Sequence, residues 1–253
     1  MLKMKLSVVL ILFISFCNLN FAQEKKETTN PEATELWEPV PTKVKTSNTS
    51  APSDAIVLFD GTGLTNWVSS KDTTKTANWI LNEDASMTVK NKAGDIQTKQ
   101  KFGSVQLHIE WNNPKERRLQ GQNSGNSGVF FQGLYEVQVL DTYENKTYAN
   151  GQAGSVYKQH IPLVNASKPS GEWQTYDIIY HAPEFDSIGR KTKSATVTVL
   201  HNSVLIQDNV IIYGTTEYIG IPKNNPHGKG PIKLQDHGDS SGVSFRNIWV
   251  REL

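Results

Sequence analysis

From Tyr135 to Val139 the chain reads Tyr-Glu-Val-Gln-Val, and from Val105 to Trp111 it reads Val-Gln-Leu-His-Ile-Glu-Trp. Both stretches alternate strictly between apolar and polar residues. Successive side chains of an extended chain point to opposite faces, so each stretch has one face to bury and one to leave polar. A helix needs apolar residues every three to four positions, and no such pattern is sustained beyond residue 22. The chain is therefore expected to be all-β. Strands are expected at 55–59, 103–111, 127–132, 134–141, 173–181, 195–200, 204–207, 210–213, 231–237 and 243–250. Gly133 marks a bulge or bend, and His201-Asn202-Ser203 reads as a hairpin turn. Many short alternating strands argue for a two-sheet sandwich. The long connections at 112–122, 142–154 and 215–229 are where a site is expected.

The N-terminus follows a different rule. Lys3 and Lys5 precede the apolar run 6–16, and Asn20-Phe21-Ala22 supplies a small residue for cleavage. Residues 1–22 read as a secretory signal too short to span a bilayer comfortably, so export to the periplasm or medium is expected. Residues 23–53 are polar and read as a leader or linker; 54–253 read as one domain. Cleavage would remove Cys17, the one cysteine, and with it any disulfide or thiolate chemistry. It would also take the 26 basic residues below the 25 acidic ones. No basic stripe then remains for nucleic acid, and none for a membrane surface.

The candidate chemistry lies on the polar faces. Glu136 and Gln138 share one face of their strand, behind the turn-forming Asn123-Ser-Gly-Asn126-Ser127-Gly128, and the strand ends at Asp141. Gln235 and His237 share a face in Leu234-Gln-Asp-His-Gly238, where Asp236 reaches a ring nitrogen only if the strand end twists. Tyr157 can donate a proton, and Lys158 beside it is expected to lower its pKa. Arg246 is the best cation for a negative oxygen. His108 and Glu110 alternate on one face, which parity alone assigns to either side of the sandwich. The six histidines have no metal-ligand spacing, and neither a phosphate-binding Gly-rich loop nor a Gly-x-Ser-x-Gly elbow is present.

Seven short markers occur in order along 55–253: Leu58-Phe-Asp-Gly61 with Leu64 and Trp67; Asn126-Ser-Gly-Val129; Tyr135-Glu-Val-Gln-Val-Leu-Asp141; Gly154-Ser-Val-Tyr157; Gly171-Glu-Trp173; Leu234-Gln-Asp-His-Gly238; and Phe245-Arg-Asn-Ile-Trp249. With them the chain resembles the secreted bacterial 3-keto-disaccharide hydrolase family, also described as 3-keto-glucoside 1,2-lyases and 2-hydroxy-glucal hydratases. It departs at Asn202-Ser203, where Asn-Gly is usual, and at Gln174, where Asn is common. The resemblance implies a concanavalin-like jelly-roll sandwich of two antiparallel sheets. It implies as substrate a glycoside or disaccharide already oxidised at C3 by an upstream sugar 3-dehydrogenase.

A C3 ketone acidifies the C2 hydrogen. Its removal gives an enolate that expels the aglycone from C1, and water then adds to the 2-hydroxy-glucal. No oxocarbenium ion forms, so the carboxylate pair of ordinary glycosidases is not needed. Residue type and strand facing give the expected roles. His237 or Glu136 is the base. Arg246, Asn126 or Ser127 holds the enolate oxygen. Tyr157, with Lys158, protonates the leaving group, and Gln138, Asp141 and Gln235 bind hydroxyls. No cofactor is expected; a divalent ion held by Glu136, Asp141 or His237 is the alternative electrophile. Two rival readings remain: a conventional β-glucanase, and a non-catalytic carbohydrate-binding module stacking sugars on Trp67, Trp79, Trp111 and Tyr135.

Overall fold

The computed structural model of the protein describes residues 30–47, 50–116 and 119–253. The expected signal at 1–22, with Cys17, lies outside them, as does part of the expected leader. The chain divides into two units, Met1–Lys43 and Val44–Leu253. In the first, the described residues include a single 3₁₀ turn, Pro31–Thr34, whose first turn is capped by the Asn30 side chain accepting from Glu32 N–H at 3.2 Å.

The second unit carries fifteen strands in chain order. They are β1 (Ile56–Phe59), β2 (Trp67–Ser69), β3 (Ile80–Leu81), β4 (Met87–Thr88), β5 (Ile96–Thr98), β6 (Val105–Asn112), β7 (Ser127–Phe131) and β8 (Tyr135–Val139). They continue as β9 (Gln174–His181), β10 (Glu184–Phe185), β11 (Lys191–Lys193), β12 (Thr196–His201), β13 (Val204–Ile211), β14 (Lys233–Leu234) and β15 (Ser244–Glu252). The large sheet runs β13-β12-β9-β6-β15-β4-β3, with β1 also paired to β15; the small sheet runs β2-β5-β14-β7-β8. All pairings are antiparallel. The two sheets form the expected jelly-roll sandwich.

Alternation places the core. Val105, Leu107, Ile109 and Trp111 of β6 face inward, as do Tyr176, Ile178 and Tyr180 of β9. They meet Val129, Phe131, Val137, Val139 and Leu234 of the small sheet. Hydrogen bonds also cross the core: Tyr176 Oη donates to Gln138 O at 2.8 Å and Tyr180 Oη to Gln132 Oε1 at 2.6 Å. These bonds satisfy buried hydroxyls that would otherwise cost folding energy, and they fix β7 and β8 against the large sheet.

Two local devices set the register. Gly133, expected as a bulge or bend, instead completes the β7–β8 hairpin turn, with Gln132 and Gly133 both at positive φ (53° and 73°). In β15 a real bulge sits where the pairing with β6 slips between Arg246 and Trp249, and Asn247 takes φ 47°. Phe245 and Ile248 therefore both point inward, while Arg246, Asn247 and Trp249 point out.

Candidate active site

The outward face of the small sheet carries the site. Cross-strand register puts Lys233 opposite Phe130 and Phe130 opposite Glu136. The chain at 154–157 then lies against β8, bridging Val156 to Val137, with Tyr157 N–H donating to Glu136 O at 3.3 Å. One row thus reads Lys233, Phe130, Glu136, Tyr157. The next reads Gln235, Gly128, Gln138, held by Gln235 N–H donating to Gly128 O at 3.1 Å. Asn126 and His237 follow one step farther along their segments. The rows floor a cavity of about 370 Å³, which the chain at Thr216 and Tyr218 closes from one side.

Among the described residues Glu136 is the one carboxylate lining this cavity. Only 4 % of it is exposed. Burial pushes its carboxyl up to about 8, against the opposing pull of Lys233 and with a further push from Asp95. Lys233 is itself held by Asp95 at 2.9 Å, its ammonium 3.9 Å above the Phe130 ring. With its amide nitrogen turned to the carboxylate, Gln138 donates to Glu136 Oε1 and to Ser127 O, each at 3.0 Å. Turned over, its oxygen can accept from the protonated acid, so one amide serves both charge states. Glycine at 128 makes room for this: a Cβ there would lie 2.3 Å from Glu136 Oε1 and 2.8 Å from Phe130.

His237 forms another wall, its Nδ1 2.9 Å from Asp239 Oδ2, which leaves Nε2 as the ring nitrogen outside that pair. Tyr157 Oη lies 2.6 Å from Tyr148 Oη, and burial first, then that bond, push its hydroxyl well above its ordinary value. Asn126 is anchored by donating to Gln122 O at 2.7 Å. Gln235 Oε1 is buried without a partner, an acceptor left for a ligand hydroxyl.

Of the expected residues, Glu136, Gln138, Asn126, Gln235, His237 and Tyr157 converge. Four do not. Arg246 belongs to the large sheet's outer face, where its Nε bonds Glu110 at 2.7 Å and its guanidinium lies 4.0 Å over Trp173. His108 and Glu110 share that opposite face: His108 Nδ1 meets Asp177 at 2.7 Å, and Asn247 bonds both His108 and Glu110. Ser127 has inward parity and spends its hydroxyl on Gln235 O at 2.7 Å. Asp141 accepts from Ser170 and Ser124 in a separate cleft. Lys158 donates to Tyr218 O at 2.6 Å, and Tyr157's pKa is raised, not lowered.

Asp236 does not orient His237; it accepts from Gly94 and Gly238 N–H, and Asp239 takes the orienting role. Of the residues named as alternative ligands for a divalent ion, Glu136 and His237 line the cavity and Asp141 lines a separate cleft. Among the described residues no group of three or more His, Cys, Asp or Glu side chains is placed to hold a metal ion. The stacking platform fails too: Trp67, Trp79, Trp111 and Tyr135 are all buried. Sequence reasoning missed Lys233, Thr216, Tyr218, Tyr148 and Asp239. Parity marks only Lys233, two residues before Gln235; the others come from loops.

The family model of the 3-keto-alpha-glucoside-1,2-lyase-like domain matches residues 54–251. The chain belongs to this family. Membership places the lyase-like domain among carbohydrate-active hydrolases and lyases. Its fold is shared with a solved "putative glycosyl hydrolase" from Parabacteroides distasonis, 52% identical, covering 88% of this chain and 97% of the other with a TM-score of 0.85. A second protein described in the same words, from the same organism, is 20% identical over 79% of this chain and 94% of its own, with a TM-score of 0.56, and shows the fold alone. No curated protein matches the chain. Among the described residues no helix is long and apolar enough to cross a membrane.

Proposed function

We propose that the protein cleaves 3-keto-glycosides by elimination and hydration, after export, on substrates that an upstream sugar 3-dehydrogenase has oxidised. The observation that carries this reading is a pair: a lone buried carboxyl held up to about 8 and an imidazole oriented by Asp239, both lining one cavity. His237 Nε2 takes the C2 proton. The C–H electrons pass into a C2–C3 enolate and then, as the C3 carbonyl reforms, into a C1–C2 double bond that expels the oxygen at C1. Glu136, protonated at neutral pH, gives its proton to that leaving oxygen.

The ionised Glu136 then takes a proton from the water that attacks C1, and His237, its Nε2 proton exchanged with solvent once the aglycone has left, protonates C2. One of the paired tyrosines must donate to the other, which leaves the acceptor's own proton for the substrate. With Tyr148 donating to Tyr157, Tyr157 presents a polarised O–H to the enolate oxygen, the part first expected of Arg246, Asn126 or Ser127, in place of the leaving-group protonation first expected of Tyr157. Asn126, Gln138 and Gln235 bind hydroxyls. A retaining glucanase would need two carboxylates roughly 5–5.5 Å apart, and Glu136 has no such companion lining the cavity.

The test is turnover of a 3-keto-glucoside and of its unoxidised parent by the wild type, Glu136→Gln and His237→Ala. Each substitution is expected to cost at least about a hundredfold on the oxidised substrate, and the parent is expected to be inert. In D₂O the released sugar should carry deuterium at C2 faster than the free product exchanges. Full activity in both variants, or release without label, would overturn the mechanism.

A further inference from the structure

The loop that closes the cavity is tied at its neck. Thr215 N–H donates to Lys223 O at 2.9 Å, Lys223 N–H to Thr215 Oγ1 at 3.2 Å, and Lys223 Nζ meets Glu217 at 3.3 Å. Gly214 lets the two strands of the neck cross closely: a Cβ there would lie 2.5 Å from Lys223 O. The loop is pinned to the cavity wall as well. Thr216 Oγ1 accepts from Glu136 N–H at 3.0 Å, and Lys158 donates to Tyr218 O at 2.6 Å with its ammonium 4.4 Å from the Tyr218 ring.

A loop held so firmly would be expected to turn its apolar residues inward. It does the reverse. Tyr218 is 73 % exposed, Ile219 82 % and Ile221 81 %, in one run beginning at a residue that lines the cavity. Apolar side chains clustered at the rim of a site mark a binding surface.

We infer that the tip of this loop, Tyr218, Ile219 and Ile221, is the leaving-group subsite, and that it selects glycosides whose aglycone is apolar. The inference rests on the elimination reading for the identity of the cavity's sugar. Continuity fixes the occupant: whatever projects from a ring seated over Glu136 past Tyr218 runs onto Ile219 and Ile221. These offer no hydrogen bond to the hydroxyls of a second sugar, but they can cover an aromatic or aliphatic group. The Tyr218 ring, with Lys158 bonded to the backbone carbonyl of the same residue, forms the step between the polar cavity and the apolar tip.

The experiment compares phenyl and methyl 3-keto-glucosides of one anomer. Binding is measured by calorimetry on the Glu136→Gln protein with and without Ile219→Ser and Ile221→Ser; turnover is measured with Glu136 intact. With Glu136 intact, turnover should show the same preference for the phenyl over the methyl compound, and the double substitution should abolish it. The phenyl compound should bind about tenfold tighter than the methyl one with the tip intact, and equally once the tip is serine. Equal binding of the two with the tip intact, or a preference that survives the substitutions, overturns the subsite. Absence of turnover beside a tip-dependent phenyl preference sinks the elimination reading and leaves the subsite standing.

Discussion

Glu136 holds its proton because the fold removes it from water, and the same burial makes it a liability to stability. Its carboxyl is at about 8 in the folded protein against an ordinary 4.5. Between those values the folded state keeps a proton that the unfolded chain has released, so stability falls as pH rises through that window. The loss is on the order of a few kcal/mol, or several degrees in Tm. His108 has the same sign. Burial pulls it down, but hydrogen bonds to Asp177 and Glu110 outweigh that and hold it at about 9. Its contribution is complete below 6.5 and lost as pH climbs through 9. The wild type alone therefore cannot isolate Glu136, but the difference from Glu136→Gln can. The glutamine has nothing to ionise, so the variant should melt at a similar temperature near pH 5 and progressively above the wild type toward pH 9. Parallel curves would mean that Glu136 titrates normally. Turnover should fall above about pH 8 as the proton destined for the leaving oxygen is lost.

Turns and strands show how far parity reaches. The β12–β13 hairpin turns on Asn202 and Ser203, at φ 52° and 66°. Asn202 has compensation, accepting from Thr175 N–H at 2.9 Å and donating to Ala166 O at 2.8 Å. Among the described residues the Ser203 side chain has no hydrogen-bond partner to offset its strain, and glycine is the residue suited to that position. Ser203→Gly should raise stability by about 0.5–1 kcal/mol without touching turnover; an unchanged or lower denaturation midpoint would count against it. This turn was legible in the sequence, as were β6, β8 and β9, because half-buried strands advertise a period of two. Of the strands of two or three residues, β14 lies within the one expected at 231–237; the others were not legible, being too short for any period to show. The structure finds Glu136 and Arg246 on two outward faces; parity puts Glu136 on the polar side of its strand. It cannot say that the two faces belong to different sheets, since that depends on pairings hundreds of atoms apart along the chain. The bulge at Asn247 adds a residue out of step, which no local pattern announces. Lys233 was hidden differently: the segment 231–237 keeps strand pairing for only two residues, yet its extended chain carries the same facing on to His237.

The sandwich, Val44–Leu253, therefore presents two polar faces separated by one core. On the small sheet lie Glu136 and His237; on the large sheet lie Asp177, His108, Glu110 and Arg246, satisfied by one another. Burial raises the acid of the first face, while the second holds Glu110 down to about 2, chiefly through its bond to His108, with Asn247 and Arg246 adding to it. One face gives a buried carboxyl a neutral amide to bond and the other surrounds a carboxylate with donors and a cation, which on the proposed mechanism separates a reactive group from a structural one. Arg246→Ala should accordingly cost stability and spare chemistry. The Arg246 side chain is 36 % exposed, so solvent screening limits the loss to about 1 kcal/mol. Turnover should stay within about twofold of wild type, because no interaction with the reacting sugar is removed. Combined with Glu136→Gln, its stability change should add to within about 0.5 kcal/mol, since the two residues share no partner across the core. Denaturation of the two single variants and the double variant measures this. A coupling above 1 kcal/mol, or a hundredfold loss of turnover in Arg246→Ala alone, would mean that the faces act on one another through the Tyr176 and Tyr180 bonds that span the sandwich.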